Sequence, residues 1–426
     1  MKFYKKIFIT AILLVNIFIC SVFAGKEQDD FEFGLKLFQQ DPSMAADQFE
    51  KFISTYPRSS SIADAYLWLG QCYQILEQYD SSILKFSVIT VNYPKYHNLD
   101  IAVFNLGLGY YYKNEFENAI FQFNKYIKIS SSTTAKKKKN SENLRAASIY
   151  IGDCYFNTGK YDKAIETYKN ENDSKEDISL SFKLFKAYYL NKQYDKALDI
   201  SDKFNFEQSD TGLLSDLDRQ RFYFYTGDIY FAKKNHEKAL SYLTAVEKFS
   251  IKPDFINLVL LRISQCYDML NNQDKSIEYL LKIESTGMPH YLNEVPYRIG
   301  LIYYNSGRYD IASNYFVTGL KKYPDIIRED LLALSINALY KADKLNDLIY
   351  VYENFAVKNK ISNLEILEKT VYAYYTLNKY DDVLKISSII KLTDDQKYFN
   401  IKFFEASSYF HLKKHQKSIT ELKLLL

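Results

Sequence analysis

Glycine and proline are scarce in this sequence, at 13 and 7 of 426 residues. So small a supply leaves little material for long irregular connections and suits helices joined by short turns. Catalytic signatures are missing too. There is no HExxH pair for a zinc protease, no glycine-rich loop to cradle phosphate, no Gly-x-Ser-x-Gly nucleophile elbow and no CxxC. The five histidines are scattered without a metal-spaced companion, so no metal site and no cofactor are expected. Acidic residues are plentiful, but nothing singles out a carboxylate pair of the glycosidase kind. The net charge of +3 is small. Lys2, Lys5 and Lys6 stand in an opening stretch that holds no acid, which leaves the rest near neutral. Nothing global points to nucleic acid or to an anionic membrane.

What is abundant is aromatic: 40 tyrosines and 30 phenylalanines. Their spacing is informative. Tyr66, Leu69, Gly70 and Tyr73 fall on one face of a helix, and Ser82, Phe86 and Ile89 on one face of a second. Gln78 lies in the short break between them. Pro94 lacks a backbone N–H and biases Tyr93 away from helical angles, so the second helix should stop there. Gly70 and Ser82 mark where two helix backbones can approach closely. The unit recurs in Leu106, Gly107, Tyr110, Phe116, Ala119 and Phe123, then in Ile151, Gly152, Tyr155, Gly159, Tyr161, Ala164 and Tyr168. It recurs again in Pro296, Ile299, Gly300, Tyr303, Gly307, Tyr309, Ala312, Phe316 and Pro324.

This pattern resembles the tetratricopeptide repeat, a helix–turn–helix of about 34 residues with bulky side chains at positions 4, 7, 11 and 24, small ones at 8 and 20 and proline at 32. The resemblance implies an all-α, right-handed α-α superhelix, a solenoid of about eleven such repeats. Aromatic-tolerant core positions then explain the tyrosine and phenylalanine count. Phe31 to Pro57 reads as a first repeat with a shortened leading helix. Weaker copies run through Leu184, Tyr188 and Ala197, through Tyr223, Gly227 and Ala239, and through Leu260, Tyr267 and Ser276. The last ones pass through Ile336 and Tyr340, through Tyr374 and Tyr380, and through Tyr409 and Ser418. Aspartates in turns such as Tyr161-Asp162-Lys163-Ala164 and Tyr194-Asp195-Lys196-Ala197 are expected to cap the second helices. The Tyr56-Pro57-Arg58-Ser59 join makes residues 44–94 similar to bacterial periplasmic BamD-like proteins and to the cell-division coordinator of the Tol–Pal system.

In this family the leading helices line the face that binds ligands. Chaperone-binding members carry a Lys, Asn and Arg clamp for a peptide's terminal carboxylate. Here position 5 is instead Leu67, Phe104, Ile149 or Phe224. Position 12 forms an aromatic ladder of Tyr111, Phe156, Tyr189, Phe231, Tyr304, Tyr375 and Phe410. One reading makes this ladder a groove for an extended or helical protein segment. The plainer one packs it between neighbouring repeats. Cys72, Cys154 and Cys266 each precede the position-11 tyrosine of their repeat, a packing slot, and are expected as free, buried thiols. His236 and His415 occupy position 17, which is usually aromatic.

Met1 to Ala24 reads as a signal peptide with a basic head and an apolar run, with cleavage before Gly25; an uncleaved anchor, or lipidation at Cys20, are the alternatives. Residues 25–426 are then the repeat array, with hinge candidates at 130–141 and 205–217. The run Lys136 to Lys139 is either a solvated loop or an electrostatic tether to anionic lipid or cell-wall polymer, a peripheral membrane contact in the case of lipid. Ile419, Leu422, Leu424, Leu425 and Leu426 leave an apolar C-terminal helix, suggesting a partner or a second copy there. The expectation is an exported, non-catalytic scaffold for protein or peptide partners in the bacterial cell envelope, periplasmic or outer-membrane-associated. A BamD-like assembly lipoprotein and a helical cell-wall hydrolase are the alternatives.

Overall fold

A computed structural model describes residues 25–132, 141–171, 177–203, 214–249, 252, 254–286, 294–324, 327, 329–360, 363–390 and 396–425. The segment read from sequence as a signal peptide, Met1 to Ala24, the run Lys136 to Lys139, His290 and Leu426 lie outside them. The described residues form helices and turns, with no strand among them. The chain divides into two compact units, Met1–Leu214 and Ser215–Leu426.

Among the described residues the first unit holds five helix pairs. They are α1 (25–38) with α2 (Pro42–Thr55), α3 (Ile62–Ile75) with α4 (Tyr79–Asn92), α5 (Leu99–Tyr112) with α6 (Phe116–Ser130), α7 (Ser141–Asn157) with α8 (Tyr161–Glu171), and α9 (Ile178–Leu190) with α10 (Tyr194–Lys203). The second unit holds six. They are α11 (Asp216–Ala232) with α12 (His236–Val246), α13 (Ile256–Met269) with α14 (Gln273–Ser285), α15 (Glu294–Asn305) with α16 (Tyr309–Lys322), α17 (Glu329–Lys341) with α18 (Leu345–Val351), α19 (Leu364–Thr376) with α20 (Tyr380–Ser387), and α21 (Gln396–His411) with α22 (His415–Leu424). Within each unit helices pack on their pair-mates and on the next pair. A π turn, Tyr352–Ala356, continues α18.

Glycine at position 8 sets the closeness of a pair. A Cβ on Gly70 would stand 2.7 Å from the Phe86 ring, and one on Gly107 2.8 Å from Phe123. Phe86 and Phe123 are fully buried in these crossings. Gly34 meets Phe49 in the same way, which identifies α1 as a leading helix. It is helical from residue 25, so the expectation of a shortened leading helix is corrected. The acidic run Asp29, Asp30 and Glu32 hid its start, since it breaks the apolar pattern without breaking the helix.

The turn inside a pair explains the glycine shortage. In α3–α4 the Glu77 N–H donates to the Gln74 carbonyl and the Gln78 N–H to the Tyr73 carbonyl. Those two bonds form a Schellman motif, which needs a left-handed residue between the helices. Glycine fills that place only at Gly159 (φ 72°) and Gly307 (φ 77°). Elsewhere Glu77, Asn114, Lys192, Lys234, Asn271, Asp343, Asn378 and Lys413 accept φ between 55° and 61°.

The aspartates that follow the first tyrosine of the second helix, those of the Tyr-Asp-Lys-Ala turns among them, do not cap. Asp80, Asp162, Asp195, Asp310 and Asp381 sit inside the first turn of the following helix, where they face the positive end of its dipole. Asn235 and Asn272 do cap, accepting from the N–H groups of Lys238 and Lys275. The lysines of those turns have a shared task. Lys163, Lys196, Lys238, Lys275 and Lys417 lie over the rings of Tyr155, Tyr188, Tyr230, Tyr267 and Tyr409, with Nζ between 5.2 and 5.8 Å from the centroid. Such contacts contribute about 0.5–1 kcal/mol each where exposed.

Candidate functional site

Each aromatic of the expected ladder reaches across its own turn to the residue at position 17. The ring pairs are Tyr111–Phe116, Phe156–Tyr161, Tyr189–Tyr194, Phe231–His236, Tyr304–Tyr309, Tyr375–Tyr380 and Phe410–His415, at centroid distances from 5.1 to 6.3 Å. Six of the seven are half-buried, and Phe410 is 59% exposed. One edge of each ring thus helps close the helix pair, and another edge remains open. His236 and His415 stand as the aromatic partners in this clamp.

Two ladder members were missed from sequence. Tyr340 takes position 12 of its repeat, because the Lys344 N–H donates to Leu339 and the Asp343 N–H to Tyr340, as in the other turns. Leu345 replaces the aromatic at position 17 there, which removed the sequence cue. Phe38 follows Gly34 by four residues, as Tyr111 follows Gly107, and packs edge-on to Trp68 at 4.9 Å. Gln74 and Asp268 interrupt the ladder, the first in unit 1 and the second in unit 2.

In unit 1 the structure brings two ladder residues to one place. A cavity of about 170 Å³ opens between Tyr111 and Phe156, with Asp153, Asn157, Tyr168, Lys183 and Lys186 completing its lining. Helix α7 supplies Asp153, Phe156 and Asn157, and α9 supplies the lysines. At the base, Asp153 is 9% exposed. Its carboxylate accepts from the Tyr168 hydroxyl at 2.6 Å and from Lys183 Nζ at 2.5 Å. Burial, with the Asp153 charge beside it, pushes the Tyr168 phenol far above its ordinary range. Tyr111 is pushed up likewise, by burial first and then by Asp153. Lys186 Nζ lies 4.7 Å from the Phe182 centroid and 5.9 Å from that of Phe156.

Unit 2 repeats the frame with a different outcome. Asp228 stands where Asp153 does, one residue after the pair's glycine, and Arg262 where Lys183 does. The two form an ion pair at 2.6 Å. The Arg262 guanidinium lies over the ladder ring of Phe231 at 4.5 Å and donates to Gln265 at 2.8 Å. Leu243 replaces Tyr168 against the glycine, so no hydroxyl reaches Asp228 from that side.

A larger cavity of about 440 Å³ lies in unit 1 between Ser59–Ala63 and Asn92–Tyr96. Two of its polar residues are engaged with the fold: Ser59 donates to Glu27 and Tyr96 to Asp64, each at 2.5 Å. The three cysteines are free and buried, and burial pushes each thiol up to about 12. Among the described residues no group of three or more His, Cys, Asp or Glu side chains is placed to hold a metal ion, and no helix is long and apolar enough to cross a membrane. At α22, Ile419, Leu422 and Leu424 are exposed.

Successive helix pairs with a small residue at position 8 against a bulky one at 24, closed by a left-handed turn, define a tetratricopeptide-type repeat array. Such arrays generally bind protein partners and are typically non-catalytic scaffolds. The family described as anaphase-promoting complex, cyclosome, subunit 3 matches over residues 112–204. Among solved structures the chain is similar to a tetratricopeptide repeat protein of Parabacteroides merdae, at 14% identity over 65% of this chain and 98% of that one, with a TM-score of 0.40. It is similar to the C-terminal part of a TPR repeat-containing protein from Cytophaga hutchinsonii, at 17% identity over 72% and 99%, with a TM-score of 0.39. It is also similar to the apo form of RapI, at 14% identity over 83% and 99%, with a TM-score of 0.42. No curated protein matches.

Proposed function

We propose that the chain is an exported, non-catalytic scaffold of the bacterial cell envelope whose first unit binds a segment of a protein partner. The observation that carries the binding role is the cavity between Tyr111 and Phe156, where ladder aromatics flank converging polar groups. Aromatic rings offer a large contact area at low conformational cost, and a few polar groups fix orientation. Export rests on the basic head and apolar run of residues 1–24.

The test has two arms. Envelope fractions are crosslinked and the chain is pulled down, with the wild type compared against the Tyr111→Ser, Phe156→Ser, Tyr189→Ser triple variant. A partner captured by the wild type and lost in a variant of unchanged stability supports the groove. Equal capture, or loss only together with folding, overturns it. N-terminal sequencing of the mature protein settles export: a start at Gly25 without attached lipid is expected, and a lipid-modified Cys20 would redirect the assignment to an assembly lipoprotein.

A further inference from the structure

We propose that the cleft between two successive inter-repeat turns of unit 1 binds a small organic monocarboxylate with an apolar body, its carboxylate meeting Lys95 and its body lying against Ile62, Ala63 and Pro94. None of the residues lining the cleft belongs to the aromatic ladder or to the cavity beside Phe156, so this site stands apart from the segment-binding reading.

The local sequence makes the cleft. Tyr56 and Tyr93 end α2 and α4 in the same way, at φ −124° and −125°, because Pro57 and Pro94 follow and disfavour helical angles at the residue before them. Each turn is then held by a like pair of backbone bonds. In the first the Ser59 N–H donates to Tyr56 and the Ile62 N–H to Ser59; in the second the Tyr96 N–H donates to Tyr93 and the Leu99 N–H to Tyr96. The cleft of about 440 Å³ lies between the two turns. Small-molecule sites typically span about 300–1,000 Å³, so its size suits a compact ligand. Its walls are fixed before any ligand arrives. Ile62 and Ala63 are buried, the Tyr96 hydroxyl is bonded to Asp64, and the Tyr93 ring packs on Tyr66 at 6.5 Å. A preformed wall lowers the ordering cost of binding.

The polar groups select the ligand. Ser59 and Tyr96 are engaged, and the carboxylates that hold them, Glu27 and Asp64, do not line the cleft. Ser60, Asn92 and Lys95 do line it, are exposed, and make no side-chain hydrogen bond or ion pair with another described residue. Lys95 is the one charged side chain among the lining residues. Arg58, at the same place in the first turn, follows Pro57 as Lys95 follows Pro94, and it too has no described partner. A cationic ligand would therefore meet like charge. A bare phosphate would leave the apolar wall uncovered, and a neutral apolar molecule would leave Lys95 without a partner. A single carboxylate takes a charge-assisted bond from Lys95 and neutral ones from Ser60 and Asn92. Its apolar body then covers Ile62, Ala63 and Pro94 and is removed from water with them.

The experiment titrates 3-(4-fluorophenyl)propanoate into the full chain and follows binding by fluorine NMR. The matched neutral probe is 3-(4-fluorophenyl)propanamide. The acid is expected to bind, and the amide about tenfold more weakly. Lys95→Gln should weaken the acid about tenfold and leave the amide unchanged. Lys128→Gln removes an exposed lysine outside the cleft and should change neither. Ser60→Tyr should fill the cleft and weaken both probes. Lys95 and Ser60 are exposed, so both variants are expected to fold, and urea midpoints confirm it. No binding of the acid, equal binding of the amide, or an unaltered acid affinity in Lys95→Gln overturns the site. Displacement of the acid by an equal concentration of inorganic phosphate would identify a bare-anion site and overturn the apolar half of the assignment. Far tighter binding of acetyl-Ala-Ala-Phe with a free carboxylate would make the ligand the end of a protein chain and overturn the small-molecule assignment. Failure here leaves the scaffold role standing, since that role is read from capture of a partner by Tyr111, Phe156 and Tyr189.

Discussion

The two units solve one packing problem in two ways. In both, an aspartate on a leading helix must be neutralised by a base from the next leading helix, beside an aromatic that closes the turn. Unit 1 uses Lys183 and adds the buried Tyr168 hydroxyl, so Asp153 has two partners and the ring of Phe156 keeps an open side. Unit 2 uses Arg262, which serves Asp228 and covers Phe231 at once. A recess arises in the first case as a consequence of side-chain shape. The repeat frame by itself does not make a site; the residue at position 6 of the next repeat, six before the ladder position, which is Lys183 in unit 1 and Arg262 in unit 2, decides whether the frame is closed or available.

The most forceful way to break this comparison is to remove each aspartate. Asp153→Ala strands Lys183 and the buried Tyr168 hydroxyl together, and loss of one partner from such a pair costs about 3–5 kcal/mol. Asp228→Ala removes the partner of Arg262, which keeps its contact with Phe231 and Gln265, so a smaller cost of about 1–2 kcal/mol is expected. Urea unfolding followed by circular dichroism measures both. Equal losses would mean that the Tyr168 bond and the arginine stacking make no difference, and the two sites would have to be treated as equivalent.

The same contrast shows what could be read from the sequence. Gly70 with Phe86, and Gly107 with Phe123, are sixteen residues apart in one repeat, so their pairing is a local pattern and the fold was legible from it. Asp153 and Lys183 belong to consecutive repeats. Their meeting depends on how one pair stacks on the next, and no spacing rule within a repeat predicts it. The ladder was legible as a line of residues, but its contact with position 17 was not, because packing across a turn depends on the left-handed residue that orients it. Tyr340 was lost when Leu345 removed the cue, and Phe38 when acids obscured the first helix.

Alkaline pH separates the units by a smaller margin. Burial raises the Cys72, Cys154 and Cys266 thiols to about 12, and raises the Tyr168 phenol further above its ordinary value. A group whose folded pKa is raised gives its full stabilisation below the unfolded pKa and loses it as pH climbs toward the folded value. The loss should therefore begin above about pH 8.5, where unfolded thiols ionise, and steepen above about pH 10 with the phenols, at ~1.4 kcal/mol per pH unit for each group. Unit 1 carries two of the thiols and Tyr168. Tyr168→Phe is expected to flatten the fall in the urea midpoint between pH 10 and 11. An unchanged slope would show that the phenol does not contribute.

The smallest effect tests where the units should not differ. Lys192 in unit 1 and Lys234 in unit 2 hold the left-handed turn position at φ 57° and 59°, each with the same pair of closing hydrogen bonds. A side chain pays about 1–2 kcal/mol for that conformation, and glycine pays none but brings more freedom to the unfolded chain. Lys192→Gly and Lys234→Gly should each raise stability by about 0.5–1 kcal/mol, and Asn271→Gly by less, since asparagine already tolerates the region. Neither lysine contacts the Asp153 or Asp228 sites through a described hydrogen bond, so matched gains are the expected result of the urea titration. A clear gain in one unit and none in the other would mean that the turns, and not position 6 alone, carry part of the difference between an open and a closed frame.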